Sequence, residues 1–151
     1  MPDCIFCKIA EGKIPSYKIY DDKNFFAFLD INPLNKGHVL LIPKKHYRWV
    51  WDVKEIGLLF ETAQKIANAI KKAFSTELVI SMVVGEAVPH AHIHLIPRFE
   101  NDGHGSILDF KNVKKFSEKE MNEFAEKIKS AGTISAPVNS AAAGTFTQDL
   151  S

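Results

Sequence analysis

Histidine stands at every second position of Pro89-His90-Ala91-His92-Ile93-His94-Leu95-Ile96-Pro97. In an extended strand alternate side chains share a face and lie about 6–7 Å apart. The segment therefore reads as a strand with three imidazoles on one face and Ala91, Ile93 and Leu95 on an apolar one. Burying three imidazoles without polar partners would be costly, so packing does not explain the pattern. Two roles fit it. Neutral imidazole is a common zinc ligand, and H-x-H on a strand is compatible with a metal site. Alternatively, one imidazole attacks while its neighbours orient and protonate. Phosphorus suits such a nucleophile, because a phosphoramidate forms readily and hydrolyses readily. A pKa near about 6.5 leaves a free ring nitrogen at neutral pH. Spacing alone leaves both roles open.

The remaining chain supplies a sheet and helices for this strand. Cys4 to Glu11 reads as a helical turn closed by Gly12. Tyr17–Tyr20 and Phe25–Asp30 are β-prone runs around the turn signal Asp21-Asp22-Lys23-Asn24. His38–Pro43 is a nearly continuous apolar strand. Asp52 with Glu55 resembles a capping box ahead of Ile56, Leu59, Phe60, Ala63, Ile66, Ala67, Ile70 and Phe74, which recur at helical spacing. Glu77–Val84 and Val88–Ile96 are expected strands joined through Gly85, and Asn101–Gly105 is a polar loop in which His104 reads as a solvated residue. Ser117 with Glu120 opens a second helix running to about Ser130. Strands in hairpin-like succession with two separate main helices predict an α+β domain on an antiparallel sheet of about five strands. The domain is expected over 1–131. After Gly132 the composition shifts to Ala, Ser, Thr and Gly without periodicity, giving a tail over 132–151.

Bulk properties exclude more than they assign. Nineteen basic against eighteen acidic residues give a net charge of +1, which offers no argument for nucleic-acid or membrane binding. No apolar run approaches the roughly 18 residues of a membrane span, and no secretory signal is visible, so cytoplasmic residence is the expectation. The two cysteines, Cys4 and Cys7, form a C-x-x-C pair. In such a chain that spacing favours metal binding or redox chemistry over a structural disulfide.

The pattern H-φ-H-φ-H-φ-φ filled by His90–Ile96 resembles the signature of the histidine-triad (HIT) superfamily. Four further matches follow in order: Cys4-Ile-Phe-Cys7-Lys-Ile, Ala27-Phe-Leu-Asp30-Ile31, Lys36-Gly37-His38-Val39 and Ile42-Pro43-Lys44-Lys45-His46. The likeness covers about residues 4 to 130, and its C-x-x-C and Pro-Lys-x-His pieces look most like the nucleoside-phosphoramidate hydrolase branch. The resemblance implies a homodimeric HIT-like fold acting at the α-phosphate of a purine nucleotide derivative through a nucleotidyl-histidine intermediate. His92 matches the nucleophile, His94 a contact to phosphate oxygens, and His38 a further active-site histidine. Asp30 matches the carboxylate that holds ribose hydroxyls, and Phe6 and Ile31 an apolar clamp on the base. Cys4, Cys7, His46 and His90 match a structural zinc site, leaving catalysis without a metal requirement.

The chain departs from the family pattern before the triad. Met82-Val-Val-Gly85-Glu86-Ala87-Val88 is short and lacks an expected asparagine. Glu86 stands where glutamine is expected in the substrate site, and Ala87 where a hydroxyl residue assists the leaving group. A carboxylate near phosphate repels an anionic substrate unless protonated or turned away. Competing readings are a dinucleoside-polyphosphate hydrolase or nucleotidyl transferase using the same intermediate, a catalytically weak nucleotide-binding module, and a zinc-binding interaction domain.

Overall fold

The computed structural model describes residues 3–131, so the expected tail over 132–151 lies outside the described residues. Five strands follow a short first helix: α1 (Ile5–Ala10), β1 (Lys18–Asp21), β2 (Phe25–Leu29), β3 (Val39–Pro43), then a 3-10 turn at Val50–Asp52, α2 (Ile56–Phe74), β4 (Val79–Met82), β5 (Ile93–Pro97) and α3 (Glu118–Ser130). They form one sheet in the order β1-β2-β3-β5-β4, antiparallel at every neighbouring pair. The expected α+β class, five strands and two main helices are all present.

Period-two alternation sorts the sheet residues onto two faces. Ala27, Leu41 and Ile93 are register partners across β2, β3 and β5, as are Leu29, Val39 and Leu95. Both sets pack with Leu59, Ile66 and Ile70 of α2 and with Met121, Ala125 and Ile128 of α3 in the main core. On the opposite face Phe28, Leu40 and His94 are register partners, and Phe26, Phe28, Leu40 and Ile42 pack against Phe6 and Ile9 of α1. The short helix α1 thus covers the face that carries the histidines, and leaves part of it open.

Local chemistry explains most boundaries. Asp22 Oδ1 accepts from the N–H groups of Asn24 and Phe25, both at 2.7 Å, closing the β1–β2 turn. Ser117 and Glu120 form the expected reciprocal capping box at α3. The expected box at Asp52 and Glu55 does not form: Asp52 ends the 3-10 turn, and Glu55 is the α2 N-cap without a side-chain bond. Val53 and Val50 are buried there, and packing this turn against the core takes precedence over capping.

The histidine strand is also shorter than Val88–Ile96. Regular pairing begins at Ile93, because the His90 N–H turns back to the Val88 carbonyl at 2.8 Å and the Ala91 N–H is taken by Tyr47 O at 2.7 Å. The alternation nevertheless persists through this irregular lead-in. Ala91, Ile93 and Leu95 all reach the main core, as the pattern predicted.

Candidate active site and metal centre

His90, His92 and His94 separate into two neighbouring centres. At the first, His90 meets Cys4, Cys7 and His46, brought from α1 and from the segment after β3. Cys4 Sγ lies 3.2 Å and Cys7 Sγ 3.5 Å from His90 Nδ1, and Cys7 Sγ lies 3.4 Å from His46 Nδ1. All four ligand atoms fall within 4.8 Å of one another. Sulfur and nitrogen ligands on a tetrahedral zinc are separated by roughly 3.5 Å, so two thiols and two imidazoles here have the chemistry and spacing of a closed structural site. The tautomer of His90 agrees. Its Nε2–H donates to Pro43 O at 2.8 Å, which leaves the Nδ1 lone pair directed at the sulfurs. As bare thiols, burial and then the Cys4 neighbour push Cys7 up to about 11. A bound cation reverses that balance by favouring the thiolate.

The second centre contains His92, His94, His38 and Asp30. His92 Nδ1–H donates to His90 O at 2.6 Å, so Nε2 carries the free lone pair. Burial, aided by the charge of Arg48, outweighs the His90 carbonyl and the Asp30 carboxylate and lowers the His92 pKa. This imidazole is therefore neutral, oriented and nucleophilic at pH 7. Phe6, buried on α1, makes T-shaped contacts with both rings, with centroids 5.1 Å from His92 and 5.9 Å from His90.

His38 and His94 form an oriented neutral pair. The Leu34 N–H donates to His38 Nδ1 at 3.0 Å, so the His38 proton sits on Nε2. That proton points to His94 Nδ1 at 2.9 Å, which leaves the His94 proton on Nε2 as an available donor. Burial first, and a neighbouring imidazole second (His94 for His38, His92 for His94), lower His38 to about 3 and His94 to about 4. With His38 neutral, its 3.5 Å approach to Asp30 Oδ2 is a dipole–charge contact rather than an ion pair. Asp30, at the end of β2, accepts from the Asn32 N–H at 2.8 Å, and burial raises its pKa. Asp30, His38 and His94 also place ligand atoms within 4.8 Å. The tautomer argues against a cation there: His38 Nδ1 already accepts the Leu34 N–H, so coordination through Nε2 would require loss of the second ring proton.

These tautomers predict a pH effect. Because burial depresses the His38 pKa, the unfolded chain binds more protons below about 6.5, and stability falls from there towards about pH 3. At pH 5 this residue alone is expected to cost about 2 kcal/mol. Urea titrations of the wild type and His38→Asn, which keeps an acceptor for Leu34, should differ by a slope of about one proton between pH 6 and 4. Parallel slopes would show that His38 is protonated as readily in the fold as outside it.

Of the remaining expected site residues, Ile31 is 73% exposed beside Asp30. Glu86 is exposed on the loop after β4 and forms no hydrogen bond or ion pair with the histidines among the described residues. His104 is not the solvated residue expected from its loop. Its Nδ1 accepts from the Asp109 N–H at 3.0 Å and its Nε2 donates to Leu34 O at 2.8 Å. Leu34 is thus gripped through its carbonyl by His104 while its N–H sets the His38 tautomer.

Two residues had no assigned role in the sequence. Asp102, with its side chain 5% exposed, accepts from Arg98 Nε at 2.8 Å, Asn35 Nδ2 at 2.9 Å and the N–H groups of Phe99 and His104 at 3.1 Å. The Arg98 guanidinium and these donors hold its carboxyl far below the usual range. Arg98 and Asp102 stand four apart with opposite charge, the one signal the sequence offered. Asp102→Asn should lower stability by about 3 kcal/mol in chemical denaturation, because it leaves buried donors facing an amide. A loss below about 1 kcal/mol would show the node to be incidental. Arg48 is the second such residue. It stacks its guanidinium 3.6 Å from the Trp49 ring centroid and donates to Gly85 O at 2.8 Å, and its only signal was the interleaved Arg48-Trp49-Val50-Trp51.

Residues 11–101 match the family described as HIT domain. An uncharacterised HIT-like protein of Borreliella burgdorferi is 42% identical over 133 residues, covering 80% of this chain and 96% of that protein. Adenosine 5'-monophosphoramidase HNT1 of Saccharomyces cerevisiae is 38% identical over 98 residues, 63% of this chain and 62% of that enzyme. The crystal structure of a zinc-bound histidine triad family protein from Mycobacterium smegmatis superposes with a TM-score of 0.71 at 28% identity, covering 86% of this chain and 93% of that one.

Proposed function

This chain belongs to the HIT family and is a hydrolase of that family, and from that premise we propose that it cleaves phosphoramidate-type derivatives of purine nucleoside 5'-monophosphates at the α-phosphorus. The observation that carries the reading is the His92 tautomer: Nδ1–H is spent on His90 O, and Nε2 is a buried, neutral nucleophile. In the first step the Nε2–P bond forms as the P–N bond breaks. The broken bond's electron pair goes to the departing nitrogen, which leaves as a neutral amine when the substrate nitrogen is already protonated. The His90 carbonyl holds the cationic nucleotidyl-imidazole through the same Nδ1–H. Water then attacks phosphorus, the electron pair returns to Nε2, and the monophosphate departs with release of one proton.

The other residues serve this step. His94 Nε2–H, oriented through His38, is the donor for phosphate oxygens, and it stabilises charge as it develops. Asp30, 3.5 Å from His38, takes the ribose hydroxyls, with Phe6 and Ile31 on the base side. The exposed Glu86 leaves the anionic substrate unopposed if it stays turned to solvent. Cys4, Cys7, His46 and His90 would hold a structural zinc, which supplies rigidity between α1 and the triad and no chemical step. Pairing into a homodimer is supported by the open edge of β4, the exposed Leu78 and Val84 that flank it in the chain, and the exposed Leu58 and Phe60 of α2, and light scattering would read it directly. No described helix is long and apolar enough to cross a membrane.

The test is AMP release from adenosine 5′-phosphoramidate. Turnover by the wild type supports the reading. Folded, AMP-binding protein that releases nothing overturns it in favour of a binding module. Cleavage confined to dinucleoside polyphosphates moves the assignment to that class.

A further inference from the structure

His92 packs against Phe6 and feels the charge of Asp30. It also lines a cavity of about 240 Å³ that neither of those residues lines, shared with Arg48, Trp49, Trp51, Val84 and Gly85 among others. Its cation is firmly built in. Arg48 is half-buried, donates one Nη1–H to Gly85 O, and stacks on Trp49. Gly85 makes this approach possible: its φ is +79°, and an added Cβ would come within 3.1 Å of the Trp49 ring. No carboxylate pairs with Arg48 among the described residues, so its Nε and Nη2 donors remain unspent. Trp51, 69% exposed, adds an apolar wall. An unpaired guanidinium and two indoles beside a phosphorus nucleophile form a site for a group that is both anionic and apolar.

We propose that this cavity receives the leaving group, and that Arg48 selects leaving groups bearing a carboxylate or similar oxyanion. The inference rests on the nucleotidyl-transfer reading above and names its substrate class more closely. With the ribose held at Asp30, which does not line this cavity, the groups left to meet Arg48 are the departing group and a non-bridging oxygen of the transferred phosphate. Ala87 stands where the family resemblance places a hydroxyl for the leaving group, and the guanidinium supplies the missing polar contact from another segment. The bonds exchanged are those already described; Arg48 acts on the departing amine's substituent and transfers no proton.

The test compares three conjugates of AMP: the unsubstituted phosphoramidate, an amino acid joined through its amine with a free carboxylate, and the methyl ester of that same conjugate. Acid and ester differ by one charge. The wild type should favour the acid by about tenfold in kcat/KM, the worth of one charge-assisted hydrogen bond. Arg48→Met should bring that ratio to within about twofold, while Trp51→Ala should weaken acid and ester together and keep the ratio. No preference in the wild type would overturn the proposal. So would an equal loss on all three substrates in Arg48→Met, which would assign the guanidinium to the transferred phosphate. Equilibrium binding of acid and ester to His92→Asn repeats the comparison without turnover. The same preference there supports the subsite even if the assigned reaction fails, and equal binding sinks it.

Discussion

His92→Asn is expected to lower AMP release from adenosine 5′-phosphoramidate by at least about 10⁴-fold, because removing the nucleophile of a two-step transfer leaves only binding and charge stabilisation. Asparagine is the informative replacement. Its amide N–H can take the place of Nδ1–H towards His90 O, the 2.6 Å bond that orients the native ring, while nothing replaces Nε2. AMP affinity, zinc content and the unfolding midpoint should therefore stay near the wild-type values. A variant that keeps more than about a tenth of the activity would show that another group attacks phosphorus. Mass spectrometry of rapidly quenched wild-type enzyme should in turn find the nucleotidyl adduct on the peptide containing His92.

The second large effect is metal loss. Purified protein should contain one zinc per chain, and Cys4→Ser or chelation should lower the unfolding midpoint by roughly 10 °C or more, since structural zinc binding is also folding free energy. Cys4 also caps α1 by accepting the Cys7 N–H at 3.4 Å. Serine is a strong N-cap, so the substitution preserves the cap and removes the ligand. The loss should spread to catalysis, because α1 carries Phe6, whose ring packs on His92. Zinc-free wild-type protein with a chelator-insensitive midpoint would reduce the Cys4, Cys7, His46 and His90 cluster to packing.

These two experiments probe different layers of information. Alternation in 90–96 was legible as an imidazole face and an apolar face, and Ala91, Ile93 and Leu95 do reach the core. Helical periodicity located α2, and Ser117 with Glu120 located the start of α3, because both signals are local and repeated. The ordered motifs pointed to Cys4, Cys7, His46 and His90 as one set, and the structure brings them together. The division of labour within the triad was not visible from spacing. The division proposed above rests on what each ring's second nitrogen meets: Pro43 O for His90, His90 O for His92, and His38 for His94.

The sequence by itself therefore determined the class of fold and the three-imidazole face, since periodicity and residue chemistry are written along the chain. The other candidate residues came from the ordered motifs that resemble the HIT family. Tertiary structure alone decided the tautomers, the Asp102 node and the place of Arg48. The Asp102 node and Arg48 depend on partners far away in the chain, Asn35 on Asp102 and Gly85 O on Arg48. The His38 and His92 tautomers depend on how the backbone turns nearby, Leu34 N–H onto His38 Nδ1 and His90 O onto His92 Nδ1. A hydrogen bond is directional and short-ranged, so which lone pair stays free is settled only when packing has placed both partners within about 3 Å.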